Sequence, residues 1–241
     1  MLLFGEQHDD ATGHRLEDSL LQQLYARFGK HLLLSMEMFE RDVQPVLDEY
    51  LKDIISEKNF RSEARAWDNY ADYRPLIERA KDHHIPVIAA NAPARYVNLV
   101  ARKGLTALYR LDRSARQWIG PLPIDTLSGP YAQKFLEAMG GHVMPGMHLY
   151  ESQNLWDATM AYSIKKALKR HRRATVLQLN GRFHSDDHTG LAERLRRLRR
   201  PLLTISCFRA EDFDQPSWDT YKTLADFVIL TRAAAEPSHR P

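Results

Sequence analysis

Apolar runs of strand length recur along the chain at residues 2–4, 32–36, 87–90, 175–179, 202–206 and 227–230. Most are separated by segments whose apolar residues fall at helical spacing. Leu16, Leu20, Leu21, Leu24 and Phe28 form one such stripe, and Val43, Val46, Leu47, Tyr50, Leu51 and Ile54 form the next. Leu76, Ile77 and Ala80 run through a short HHIP link into Val87, a helix-to-strand junction in which Pro86 opens the strand. Strand alternating with helix predicts an α/β fold, with a mostly parallel central sheet flanked by helices. Between 101 and 150 the pattern changes: no strand is evident, and Gly and Pro recur in GPLPIDTLSGP and MGGHVMPGM. This predicts an inserted helical subdomain, after which a long helix over 150–170 leads back to the sheet. The expected organisation is therefore one α/β domain over 1–232 with a helical insertion at about 101–150. A tail at 233–241 has no periodicity and is expected to be disordered.

Composition narrows the function without naming it. Of 241 residues, 44% are hydrophobic and 10% aromatic, as in ordinary globular domains. The single cysteine, Cys207, excludes an intramolecular disulfide framework and any multi-cysteine zinc or iron–sulfur site. The net charge of +3 does not call for nucleic acid. Its distribution is uneven: basic clusters occupy 165–173 (KKALKRHRR) and 194–200 (RLRRLRR), whereas 36–57 is net acidic. Ile164, Leu168, Leu191, Leu195 and Leu198 fall at helical spacing within or beside these clusters, which predicts amphipathic helices with solvated basic faces. No aromatic residues interleave with the arginines as a nucleic-acid stacking platform would need; an anionic ligand or lipid headgroup remains a partner of the right charge. No run reaches the roughly 18–20 apolar residues of a membrane span. The opening MLLFGEQHDD lacks the basic flank and cleavable apolar stretch of a signal peptide.

Ligands in open parallel sheets gather at the carboxyl ends of strands, and four predicted strand ends carry unusual residues. Glu6 and His8 follow the first strand in GEQH, Glu37 follows the second, Asn91 follows the third, and His184 follows the fourth in GRFH. Gly-x-x-His after an apolar strand thus occurs twice. It predicts a glycine-assisted turn with an inward-facing imidazole. Two carboxylates and two imidazoles so placed suit a divalent metal ion or general acid–base chemistry; each alone also suits a solvated loop or a helix cap.

Other polar groups have plainer readings. Asp9 and Asp10 read as caps of the first helix, and Ser185–His188 as a polar turn. Gln153 and Asp157 share one face of the long helix with Met160, where they either satisfy buried backbone groups or face a pocket. The segment 139–150 carries three Met, His142, His148 and Tyr150. Thioethers and imidazoles there suit copper or the face of a haem, an irregular hydrophobic contact, or a dimer surface. No Gly-x-Ser-x-Gly elbow occurs, which argues against a common serine hydrolase.

Taken in order, FGEQHDD, MEMFERDVQPVLDEYL, WDNYADYRP, IPVIAANAPARY, SQNLWDATMA and LNGRFH, spanning residues 4–184, resemble the ChaN-like family of haem-binding lipoproteins. That family lies within the superfamily that also holds Tiki metalloproteases and erythromycin esterase-like proteins. The resemblance implies haem binding in bacterial iron acquisition, with a hydrolase of protease or esterase type as the alternative. It further implies a homodimer, an outer-membrane haem receptor as partner and a place in the cell envelope, membrane-associated or periplasmic. No cysteine near the N-terminus offers a lipid attachment point. A tyrosine axial ligand is implied, for which Tyr150 and Tyr73 are the candidates; His148, Asn91, Gln153 and Asp157 complete the candidate cofactor set. Glu6, His8, Glu37 and His184 carry over from the superfamily's polar site, as catalytic groups or metal ligands. The turn before the last histidine departs from the usual small, glycine-rich form: Arg182 and Phe183 place bulk beside that site.

Overall fold

The computed structural model describes residues 1–142 and 144–232. In chain order its main elements are β1 (Leu2–Glu6), α1 (Ala11–Phe28), β2 (Leu32–Glu40), α2 (Gln44–Leu51), α3 (Glu57–Glu63), α4 (Tyr70–Asp82) and β3 (Val87–Asn91). Then come α5 (Ala94–Lys103), α6 (Arg113–Arg116), α7 (Pro130–Ala138), α8 (Leu149–Arg170), β4 (Thr175–Gly181), α9 (Leu191–Arg196), β5 (Leu203–Ala210), α10 (Trp218–Tyr221) and β6 (Phe227–Arg232). The six strands form one sheet in the order β3-β2-β4-β1-β5-β6, and every pairing is parallel.

The central apolar runs are strands covered on both faces, as parallel sheets require, whereas the edge strand β6 is only partly buried. Successive side chains go to opposite sides. Phe4, Leu34 and Leu177 pack on one face with Leu21 of α1 and with Leu76 and Ile77 of α4. Leu3, Leu33 and Val176 pack on the other with Met160, Ile164 and Leu168 of α8 and Leu191 of α9. The chain builds β1, β2 and β3 outward in one direction, then returns to insert β4 between β2 and β1 before adding β5 and β6 on the far side. The connections leaving β1 and β4 therefore diverge over neighbouring strands, which opens a crevice at their carboxyl ends. Glu6 is paired with Gly181 there.

Several elements differ from their sequence pattern. β2 runs on to Glu40, through a register irregularity between Met36 and Glu40, so Glu37 lies within the strand rather than after it. α2 stops at Leu51 and leaves Ile54 exposed, so Ile54 is not part of the apolar stripe. Asp10 caps α1 by accepting the Thr12 N–H at 3.0 Å, whereas Asp9 forms an ion pair with Arg209 instead of capping. Arg194, expected on a solvated basic face, is buried; it pairs with Asp125 at 2.5 Å and donates to Asn154 Oδ1 at 2.9 Å, tying α9 to the insertion and α8.

Between β3 and α8 the described residues are helices and loops without a strand. Their core of Val97, Val100, Leu108 and Ile119 packs on Leu155 of α8, so α8 serves the sheet and the insertion at once. The tail at 233–241 lies outside the described residues.

Candidate functional site

At the crevice between β1 and β4 the structure brings Glu6, His8, Glu37 and His184 together with Gln153 and Asp157. Glu6, His8, Gln153 and His184 line an open cavity of about 420 Å³. The two Gly-x-x-His segments are not glycine turns. Gly5 and Gly181 are strand residues with ordinary negative φ, and they are needed for close approach. A Cβ on Gly181 would lie 2.6 Å from His8 Nε2, and one on Gly5 would lie 2.6 Å from Ser185 Oγ.

His8 is half-exposed at the rim. Its Nδ1 is 2.6 Å from Glu6 Oε1, and the edge of its ring meets Trp67 at a centroid distance of 5.1 Å. Beneath it, Glu6 Oε1 also accepts the Tyr73 hydroxyl at 2.6 Å, while Glu6 Oε2 lies 3.4 Å from His14 Nδ1. His14 Nδ1 is in turn 3.2 Å from Glu17 Oε2. Burial would raise the pKa of Glu6, yet the hydrogen bonds of His14 and His8 hold it well below the carboxylate range. Burial and then the Glu6 charge drive Glu17 well above that range. Burial opposes a charged His14, but Glu17 and Glu6 push it up to about 10. In this enclosed group the shifts favour the protonated form of Glu17, the charged form of His14 and the anionic form of Glu6, which faces His8. Glu6, His14 and Glu17 also offer ligand atoms within 4.8 Å of one another.

The second half is built around His184, which is buried. Nδ1 lies 2.7 Å from Asp157 Oδ1 and Nε2 lies 3.3 Å from Glu37 Oε1. Burial disfavours its charge, but Glu37 and Asp157 overcome this and push the imidazole up to about 10. Glu37 sits low despite burial, because His184 is beside it, and its Oε2 accepts the Gly181 N–H at 2.8 Å. Asp157 also accepts the Tyr131 hydroxyl at 2.5 Å, and the Gln153 amide nitrogen donates to the same hydroxyl at 3.1 Å. Both ring nitrogens of His184 thus lie within reach of a carboxylate, Nδ1 of Asp157 and Nε2 of Glu37.

Arg182 and Phe183 lie beside the site and line its cavity. Arg182 turns away to Asp186 at 2.7 Å and lies 3.7 Å over the Phe208 ring; Phe183 packs on Tyr131 and Phe135. Asp186, in the predicted polar turn, is buried beneath that arginine.

The cofactor candidates divide among three places. Tyr150 and His148 line a larger cavity, of about 740 Å³, with Phe135, Met139, Met144 and Met147. Gln153 and Asp157 belong to the His184 group. Tyr73 is 1% exposed and bonded to Glu6, so its oxygen has no open approach for an iron. Asn91 turns back on its own chain, accepting the Ala92 N–H at 2.9 Å. Sequence reasoning passed over His14 and Glu17, although Asp10, His14, Glu17 and Leu21 form a stripe at helical spacing on the buried face of α1. Tyr131 carried no signal, since it stands in an irregular Gly/Pro-rich stretch.

A parallel α/β sheet with an ordered polar crevice at its switch point and a helical insertion carrying an apolar cavity defines the class. The family model described as haem-binding uptake, Tiki superfamily, ChaN matches residues 1–195, and the chain belongs to that family. Among solved structures, cofacial haem binding to ChaN of Campylobacter jejuni shows 17% identity and a TM-score of 0.58, over 86% of this chain and 80% of that one. The type III effector HopBA1 shows 15% identity and a TM-score of 0.52, over 97% and 88%. An erythromycin esterase, EreC, in its open conformation shows 11% and 0.50, over 86% and 70%. At these identities the likeness is one of fold. A search of curated proteins finds no match.

Proposed function

We propose that this chain binds haem in the cavity between α7 and the start of α8, as a haem-binding protein of bacterial iron acquisition in the cell envelope. The observation that carries the reading is the lining: an apolar slot of Phe135 and three methionines with His148 at its edge. Its volume of about 740 Å³ lies within the range of about 300–1,000 Å³ typical of small-molecule and cofactor sites. His148 Nδ1 lies 2.8 Å from Glu151 Oε1, and Glu151 Oε2 accepts the Leu105 N–H at 2.5 Å. An imidazole whose Nδ1–H is held by a carboxylate keeps Nε2 as the free, more basic donor. Tyr150 gives its hydroxyl to the Leu127 carbonyl at 2.5 Å, and burial pushes its pKa up; it coordinates iron only after releasing that bond. His148 is thus the ready axial donor, and Tyr150 walls the pocket. When bound, haem would supply the iron and its spectrum, while the protein holds the ring and excludes water. Leu136, Met144 and Met147 are exposed around this cavity, a surface that a second copy would cover in a dimer. Delivery by an outer-membrane receptor completes the proposed role. Electron paramagnetic resonance of the ferric complex tests the ligand: His148→Ala should change the signal and Tyr150→Phe should preserve it. The reverse would make Tyr150 the ligand, and an unchanged signal in both would remove the site from this cavity.

A second reading is acid–base hydrolysis at the strand ends. It rests on His8, whose ring faces the open crevice while Glu6 holds Nδ1. Metal ligation there would draw on Glu6, His14 and Glu17, whose ligand atoms lie within 4.8 Å of one another, and would require His14 and Glu17 to give up their protons. Ester and peptide hydrolysis equal in wild type and His8→Gln would dismiss the catalytic role, and elemental analysis without stoichiometric manganese, cobalt or zinc would dismiss the metal.

A further inference from the structure

The basic side chains of 165–173 are exposed, as a solvated face requires, and some of them also border a cavity. Lys166 and Arg170, one turn apart on α8, line a cavity of about 320 Å³ against the edge strand β3, together with Arg41 and His171. Arg41 is 8% exposed. Its Nη1 donates to Ser163 Oγ at 2.7 Å and its Nη2 to the Gln117 carbonyl at 3.1 Å, and its Nε has no partner. Among the described residues no carboxylate lies within ion-pair distance of Arg41, Lys166 or Arg170. The acid in the lining, Asp48, accepts the Gln44 amide at 2.8 Å instead.

An enclosed guanidinium without a counter-ion is unfavourable unless something supplies negative charge. Burial pulls Arg41 below the arginine range, and burial with the charges of Arg41 and Arg170 pulls Lys166 below that of lysine. Leu33, Trp118 and Ala167 give the same cavity an apolar wall. We infer that this cavity binds a small organic anion, its carboxylate or phosphate between Arg41 and Lys166 and its apolar part against Trp118. Charge-assisted bonds from a planar guanidinium suit either oxyanion. The site is separate from the haem cavity: at 1.5 Å per residue, Ser163 lies on the order of 20 Å along α8 from Leu149, too far for a haem propionate to serve.

Calorimetry and tryptophan fluorescence with benzoate, phenyl phosphate and inorganic phosphate test this. Benzoate or phenyl phosphate should saturate one site, more tightly than inorganic phosphate, with a fluorescence change lost in Trp118→Phe. The tighter of the two names the acidic group. Lys166→Glu, at an exposed position, should weaken binding about tenfold or more, and Arg41→Gln further, with circular dichroism reporting that variant's fold. Haem loading should leave the titration unchanged. No saturable binding of any of the three, or wild-type affinity in Lys166→Glu, would overturn the inference whatever the outcome for haem.

Discussion

The His8 imidazole occupies the space where a side chain on Gly181 would begin, its Nε2 being 2.6 Å from an ideal Cβ at that position. Strand pairing of Glu6 with Gly181 makes the approach unavoidable. Gly181→Ala should therefore displace His8 from Glu6, at a cost on the order of 1–3 kcal/mol. Burial works against a charged His8, but the Glu6 hydrogen bond holds its pKa above the histidine range; in the variant, NMR titration should show it falling back. An unmoved His8 pKa with full stability would contradict this.

The two buried histidines predict how stability follows pH. His184 and His14 sit at about 10 in the fold against 6.5 unfolded, so their contribution is complete below about pH 6.5 and is lost as pH rises toward 10. Glu6 and Glu37 are depressed from 4.5, so theirs is present above that value and is lost in acid. Glu17, raised by burial, contributes fully below 4.5 and adds to the decline as pH rises above that value. Urea midpoints should be higher near pH 6 than near pH 9.5. Asp157→Asn should lower the His184 pKa and flatten the difference. A pH-independent midpoint would refute the charge assignment.

Glu151 is predicted to act through His148. In metal sites, loss of such an outer partner typically weakens affinity about 10–100-fold. Glu151→Gln should weaken hemin binding within that range, measured by competition with an apo-globin, while the secondary structure stays intact. Wild-type affinity would mean that His148 is not the iron's donor.

Gln44 closes the open edge of β3: its Nε2 donates to the Val87 carbonyl at 2.9 Å and its Oε1 accepts the Ala89 N–H at 2.8 Å. Gln44→Ala should destabilise by about 1–3 kcal/mol and expose an edge prone to pairing with other chains. Thermal unfolding and light scattering would show both effects; neither changing would mean that water replaces the amide.

All six strands could be read because each is a short, mostly apolar run, with few polar positions such as Ser35, Gln178 and Thr204. Their ends could not: β2 continues through Glu37 and Glu40, whose charges look like a loop until His184 and the Gly181 N–H are seen beside Glu37. Strand-end position alone was enough to single out Glu6, His8 and His184. It could not separate Tyr73 from Tyr150, because one tyrosine lies beneath Glu6 and the other beside Phe135 through packing of distant segments. His14 was masked by the neighbouring leucine stripe of α1, although its spacing with Glu17 and Leu21 placed it on the buried face.

The central claim is that haem enters the cavity beside His148, and hemin titration followed through the Soret band tests it most directly. The account predicts a saturable shift at integral stoichiometry that is lost or altered in His148→Ala and kept in His8→Gln, which changes only the strand-end crevice. A linear, unsaturable change like that of an unrelated protein, or a saturable shift indifferent to His148 and abolished by His8→Gln, would contradict it.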